Sequence, residues 1–493
     1  MTTVNKVVKE AVKRPVNWEG PLPVTADSHP FSSMAYAREP LDLSAYGYVE
    51  EEYLQAGQAN VYQDLGQGLA LKDQDLDYCT RIMVRKPIQA DQFSGRVYLD
   101  IYNASNGYDI EDIWRRSYQH ILENGHIYIG ISSKPINALS LKNFDYGRYE
   151  KINWASRQAA PQPVTVNQQM SIPGTEEGLV WDMISQLAWS MRSDQAPFLE
   201  ALDLKELYLT GQSQSAMYLN TYLYYFEDSL SQGFDQPLFD GYLSVVGYGV
   251  MRTLDQQDDE ERMFAVREQQ FKPSQVPVLY LSSEGDINLF GPMKPSTVKT
   301  ETVNPMSRHY ELAGSPHTDP ASPLIPDNSE IAKTKNPPKI LDGEYHYTVN
   351  DLQLAYYVNS CIEWLHDWAI EGQEAPASQV IDRDDQGQVC RDEYGNAEGG
   401  LRSPYVDVPI AHYHANAQAD ESQIDQNVGN VNGSMTYFTE DELADRYRDG
   451  DDYLEQFKQR LDQALEAKEV TAADGERMRS WAQEMAQKLW KDG

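Results

Sequence analysis

From about residue 76 onward, short apolar runs alternate with longer amphipathic stretches. The apolar runs are Arg96–Tyr102, His126–Ile131, Glu206–Leu209, Tyr242–Val246, Val276–Leu281 and Arg308–Leu312. Short, β-branched and aromatic runs of this kind predict strands buried on both faces. Helical periods fall between them at Ile110–Glu123, Thr175–Met191 and Ser215–Asp228. The last carries Met217, Leu219, Tyr222, Leu223 and Phe226, a spacing that predicts a helix buried around much of its circumference. A further helix is predicted over Thr348–Glu371, where Leu352, Leu354, Ala355, Val358, Cys361, Ile362, Leu365 and Trp368 recur at three- and four-residue steps. Strands and helices taking turns imply a doubly wound α/β core with a mostly parallel central sheet, ending near Gly372.

The flanks have a different texture. Residues 15–75 are rich in Pro, Gly, Tyr and Gln without sustained periodicity and read as an N-terminal β-type extension. After Pro376 an Asp-, Gly- and Asn-rich segment runs to about Ser434. It is too long for an ordinary connection, so it is expected to pack over the core at the strand ends, where ligands of open α/β sheets bind. Two helices are predicted to finish the chain, opened by Thr439 with Glu442 and by Thr471 with Asp474. The expected division is therefore 1–75 extension, 76–372 core, 373–435 irregular segment and 436–493 C-terminal helices. No internal repeat stands out.

Charge narrows the partners. The 493 residues include 41 basic and 76 acidic side chains, a net charge of −35. Such a surface repels phosphate backbones and anionic headgroups, so neither nucleic acid nor membrane is expected as a partner. The three cysteines, Cys79, Cys361 and Cys390, are too few and too scattered for a disulfide framework or a zinc set. No apolar window approaches a membrane span, and the first 18 residues lack an apolar signal region, so a soluble, cytoplasmic protein is expected.

The residues with most chemical content are Gly211, Gln212, Ser213, Gln214 and Ser215, lying between a predicted strand and a predicted helix. Gly-x-Ser-x-small in that context describes a nucleophile elbow. A serine raised on so tight a turn needs small residues two positions before and after it, because strand and helix must approach closely there. Gly211 meets that demand, and Ser215 stands where a second glycine is usual. By itself the pattern also fits a plain strand-to-helix turn.

Order along the chain adds support. The run Val276–Leu281 leads into Ser283, Glu284, Gly285 and Asp286, and the run Arg308–Leu312 leads into His317. Serine, acid and histidine thus follow successive strand ends in the sequence order of a hydrolase triad. In that scheme His317 takes the proton of Ser213 and a carboxylate orients the imidazole. Asp286 is the preferred acid because it lies a few residues past the strand, with Glu284 as the alternative. The oxyanion hole is expected from the N–H of Gln214 and from the loop Asn103–Gly107, where Ala104 is the candidate donor.

These segments together resemble the large α/β-hydrolase-domain proteins, a little-characterised esterase-like family. The resemblance runs through Asn124–Ser132, Leu141 and Lys142, Tyr146–Tyr149, Gly211–Ser215, Ser283–Asp286, Glu311–His317, Gly395–Pro404 and Val406–Pro409. It covers nearly the whole chain from about residue 15. It implies the α/β-hydrolase fold with Ser213 as nucleophile and His317 as base, and it names no substrate.

Other signals read more plainly. Asp382, Asp384, Gln386, Gly387 and Glu393 have the spacing of a calcium loop. Pro376 and the glycines 395–400 stand where flanking helices belong, which favours a polar turn. His412 and His414 share a strand face without an evident third metal ligand. Arg402 is a candidate for meeting a substrate carboxylate, against simple pairing with one of the many acids. The expected activity is cleavage of a small-molecule carboxylic ester through an acyl-enzyme, without cofactor or metal. An amidase, peptidase, acyltransferase or lyase on the same scaffold, or a binding module without turnover, are the alternatives.

Overall fold

The computed structural model describes residues 3–154, 172, 174–231, 234, 236–256, 271–289, 299–319, 324–337, 347–417 and 431–490. The chain forms two compact units. The first comprises Met1–Val278, Ser296–Ser307 and Pro323–Lys339, and the second Leu279–Pro295, Arg308–Ser322 and Ile340–Gly493.

The first unit is built on strands β1 (Asn17–Glu19), β2 (Tyr48–Asp64), β3 (Leu69–Pro87), β4 (Arg96–Ile101), β5 (Ile127–Ile131), β6 (Asn153–Trp154), β7 (Glu206–Gln212) and β8 (Gly241–Val245). Their order is β1-β2-β3-β5-β4-β7-β8, with β6 beside β3. The pairs β4/β5, β4/β7 and β7/β8 are parallel, whereas β1/β2, β2/β3 and β3/β5 are antiparallel. The parallel strands carry the predicted apolar runs, and Val97, Leu99, Ile129, Leu207, Leu209 and Leu243 are wholly buried. Helices Asp112–Glu123, Val180–Arg192 and Gln214–Tyr222 alternate with these strands.

The N-terminal region is β-type as expected, after a first helix over Thr3–Val12. The β2–β3 hairpin pairs continuously from Tyr48↔Pro87 to Asp64↔Leu69 apart from irregularities near Val61. The expected boundary at 75/76 therefore falls inside β3. Two buried arginines on β3 tie this hairpin to the loop after β4. Arg81 pairs with Glu52 and, at 2.9 Å, with Asp109, while Arg85 pairs with Glu50 at 2.8 Å and Glu111 at 2.7 Å. Charges so deeply buried must be paired, and the pairing fixes the loop's course.

The second unit carries β9 (Val278–Ser283, entering from the first unit) next to β10 (Ser307–Leu312). The helix Leu354–Glu371 buries Val358, Cys361, Ile362 and Leu365 and stops at Gly372, a left-handed cap at φ 70°. The segment after it lies along β10, with Gln379 bridged to Tyr310 and Leu401 to Leu312. Within it are two matching turns. Asp384 Oδ1 accepts from the N–H of Gln386 and Gln388, and Asp392 Oδ1 from the N–H of Tyr394 and Asn396. The chain thus holds an eight-residue repeat, Arg383–Val389 and Arg391–Ala397, where none was expected. Strands β11 (Ala411–His414) and β12 (Ser434–Tyr437) pair antiparallel.

Among the described residues three helices close the chain rather than two: Glu440–Arg446, Gly450–Glu466 and Ala472–Leu489. Thr439 and Glu442 form the expected capping box, and Thr471 accepts from the N–H of Asp474. The additional start belongs to Asp449, whose side chain accepts from the N–H of Asp452. Among the described residues no helix is long and apolar enough to cross a membrane.

Candidate active site

In the first unit, β7 ends at Gln212 and the helix Gln214–Tyr222 begins two residues later. Ser213 joins them at φ 55°, ψ −120°, a conformation that L-residues rarely adopt. It is partly exposed while Gly211, Gln212, Gln214 and Ser215 are buried. The sharp turn depends on missing side chains. A Cβ on Gly211 would lie 2.7 Å from Ser215 O, and one on Gly247 would lie 2.5 Å from Ala216 Cβ and 3.2 Å from Ser213 O. Gln214 opens the helix, so its N–H has no intrahelical acceptor and points with the positive end of the helix dipole.

The loop after β4 meets this turn. Asn103 Nδ2 donates to Asp112 Oδ2 at 3.0 Å and to Gln212 O at 3.4 Å. The N–H of Ala104 donates to Gln214 Oε1 at 2.9 Å. The candidate oxyanion donor therefore lies beside the residue that follows Ser213, and its proton is held by the Gln214 carboxamide. A substrate oxygen would have to compete with that side chain. Sequence motifs say nothing of this contact.

In the second unit, β9 runs into Glu284, Gly285 and Asp286. The N–H of Ser283 donates to Asp286 Oδ2 at 2.9 Å, and Asp286 Oδ1 lies 2.5 Å from His317 Nδ1. Both side chains are buried. Gly285 permits the approach, since a Cβ there would lie 2.9 Å from the backbone nitrogen of His317. Glu284 is engaged elsewhere: it accepts from the N–H of Gly314 at 2.8 Å and pairs with Arg391 at 2.8 Å.

Arg402 lies in the second unit. Its guanidinium pairs with Asp407 at 2.6 Å and Asp392 at 3.0 Å and donates to Ala397 O within that unit. That pairing is the simple ion-pairing alternative weighed for Arg402. Within the calcium-like spacing, Asp384 caps the backbone N–H groups of Gln386 and Gln388. His412 donates from Nδ1 to Tyr394 O at 2.7 Å and has Nε2 3.2 Å from Glu442. Burial, then His412 and Arg391, keep the neighbouring His414 imidazole below its usual range. On the helix Leu354–Glu371, His366, Asp367 and Glu371 bring potential ligand atoms within 4.8 Å of one another, but Asp367 pairs with Lys468 at 3.0 Å. All three cysteines are free thiols.

One further residue carries no motif. Lys134 lies three residues beyond β5 and is wholly buried, with Nζ 3.3 Å from Ser215 Oγ. The only hint of it in the sequence is a lone cation two serines past an apolar strand.

No curated protein matches the chain. Among solved structures it is similar to acetyl xylan esterase 1 from Thermoanaerobacterium sp., at 10% identity and TM-score 0.30 over 63% of this chain and 85% of that one. It is also similar to the glucuronoyl esterase from Solibacter usitatus, at 11% identity and TM-score 0.26 over 58% and 74% of the two chains. For the esterase Est22 the values are 14% identity and TM-score 0.33 over 62% and 83%. The sequence profile of the alpha/beta hydrolase domain family matches residues 18–480, and the chain belongs to that family.

Proposed function

We propose that this α/β hydrolase cleaves a carboxylic ester of a small molecule through an acyl-enzyme. Ser213 attacks the ester carbonyl, His317 takes its proton and returns it to the departing alcohol, and Asp286 holds the imidazole tautomer and stabilises the imidazolium. The N–H groups of Gln214 and Ala104 receive the developing oxyanion, Ala104 after the Gln214 carboxamide has yielded. Water then attacks the acyl-enzyme with His317 again as base, which restores the Ser213 hydroxyl and releases the acid.

The observation that carries this reading is the 2.5 Å contact between Asp286 Oδ1 and His317 Nδ1. A carboxylate on Nδ1 assigns proton transfer to Nε2, which is the division of labour a serine nucleophile requires. The strained backbone of Ser213 supports it independently.

Labelling with a fluorophosphonate probe tests the nucleophile. Covalent labelling of Ser213, lost in Ser213→Ala, is expected. Absence of labelling in the folded protein would favour a binding module. A panel of aryl esters and matched amides then tests the bond cleaved, and turnover of amides with esters untouched would replace the esterase by an amidase.

A further inference from the structure

Lys134 Nζ donates to the carbonyl of Tyr102 at 2.5 Å, to Ser133 Oγ at 2.7 Å and to Ser215 Oγ at 3.3 Å. It also stands 4.4 Å from the centre of the Tyr218 ring. Three acceptors match the three N–H bonds of an ammonium. Two of them have a specific address. Tyr102 leads directly into Asn103 and Ala104, and Ser215 directly follows Gln214. The two segments that bear the proposed oxyanion donors are therefore held by one cation.

A charge at such a place is costly. Burial lowers the Lys134 pKa to about 7, with Glu177, Asp109 and Asp100 opposing that shift and Arg252 adding to it. An apolar side chain of similar volume at a buried ionic site is often neutral or stabilising, so packing alone gives no reason for a lysine. Ser215 poses the matching question. The elbow asks only for a small residue at this position, and a hydroxyl is useful there only if something bonds it.

We infer that Lys134 is a positioning residue for the proposed reaction, an ammonium clamp that sets the spacing of the Ala104 and Gln214 N–H groups by holding Tyr102 O and Ser215 Oγ together. The inference rests on the serine-hydrolase reading. It accounts for Ser215 in place of glycine and gives the buried charge a task. The clamp acts through backbone, so it serves the transition state, where the oxyanion forms, more than substrate binding.

The test uses the full chain as wild type, Lys134→Met, Ser215→Ala and the double variant. Fluorophosphonate labelling of Ser213 in the wild type comes first, and its absence removes the serine-hydrolase reading and the clamp together. With labelling present, each single variant is expected to lose about tenfold or more in kcat/KM on an aryl ester, with KM within about threefold of wild type. Affinity for a trifluoromethyl ketone, which forms a tetrahedral oxyanion adduct, should fall in proportion to kcat/KM. The double variant should be no worse than Lys134→Met, because both remove the same link. If Lys134→Met does not fold, Ser215→Ala decides alone, since it removes a single hydroxyl. Retention of turnover and ketone affinity within about twofold in Ser215→Ala, or losses that multiply in the double variant, overturns the clamp while leaving the labelled nucleophile in place.

Discussion

Asp286 Oδ1 lies 2.5 Å from His317 Nδ1, while Glu284, two residues earlier in the same turn, is bound to Arg391 and to the N–H of Gly314. The two carboxylates that compete for one role in the sequence thus have separate partners. Asp286→Asn should leave the fold intact and lower kcat by about 10⁴-fold, the cost of misorienting a triad histidine. Glu284→Gln should keep most of the turnover and lose about 2 kcal/mol of stability, because it weakens the bonds that a buried carboxylate makes to the Gly314 N–H and to the exposed Arg391. Paired measurements of kcat and thermal unfolding check both, and a large kcat loss confined to Glu284→Gln would reverse the assignment.

Ser213 holds φ 55° and ψ −120°, angles that a residue with a Cβ rarely adopts. Glycine adopts such angles without a Cβ penalty. Ser213→Gly should therefore be more stable than Ser213→Ala by about 1 kcal/mol, with turnover absent from both. Thermal melts of the two variants measure the difference, and equal stabilities would mean that the turn relaxes once the hydroxyl is gone.

Gly211 has an ordinary φ, so its constraint is purely one of space. An added Cβ would meet Ser215 O at 2.7 Å and Ser215 C at 2.9 Å, which are backbone atoms and cannot rotate away. Gly211→Ala should push the elbow helix off β7, costing about 1–3 kcal/mol and slowing labelling of Ser213. Unchanged stability together with unchanged labelling would show that helix and strand have slack at this point.

How much of this was legible in the sequence depends on the kind of interaction. Strands β4, β5, β7 and β8 are buried on both faces, so largely apolar runs such as Val97–Leu99 announced them, and Gly-x-Ser-x-small announced the elbow through its steric demand. The predicted helix Ser215–Asp228 exists, but it widens into a π-helical turn over Leu223–Glu227, which leaves no mark on the apolar period. The repeat at Arg383–Val389 and Arg391–Ala397 was hidden because it is written in turn chemistry, with Asp384 and Asp392 as acceptors and Gly387 and Gly395 both at φ 79°, and not in hydrophobicity. The contacts of Ala104 with Gln214 and of Lys134 with Tyr102 join residues far apart in the chain, and no local pattern encodes them. Arg402 illustrates the converse: with 76 acidic side chains available, pairing within the fold was the stronger claim on a lone guanidinium.

Asp182 offers a stability prediction independent of catalysis. It lies on the helix Val180–Arg192, where its carboxyl accepts from the N–H of Asn60 at 2.7 Å and from the Tyr62 hydroxyl at 2.9 Å. Burial raises its pKa to about 7, with the Asn60 and Tyr62 bonds and the Arg14 charge only partly offsetting that shift. A carboxyl whose folded pKa lies above its unfolded value binds a proton more tightly when folded. Its contribution to stability is therefore fully present below about pH 4 and declines as pH rises to about 7, where the folded group also ionises. The decline amounts to about 4 kcal/mol for a shift of this size. Asp182→Asn keeps the shape and an acceptor for the Asn60 N–H but cannot ionise. Relative to wild type it should gain stability between about pH 4 and about pH 7 and level off above that, read as the difference in unfolding midpoint across that range. A difference that stays flat over the range would mean that the Asp182 carboxylate is already charged inside the folded chain.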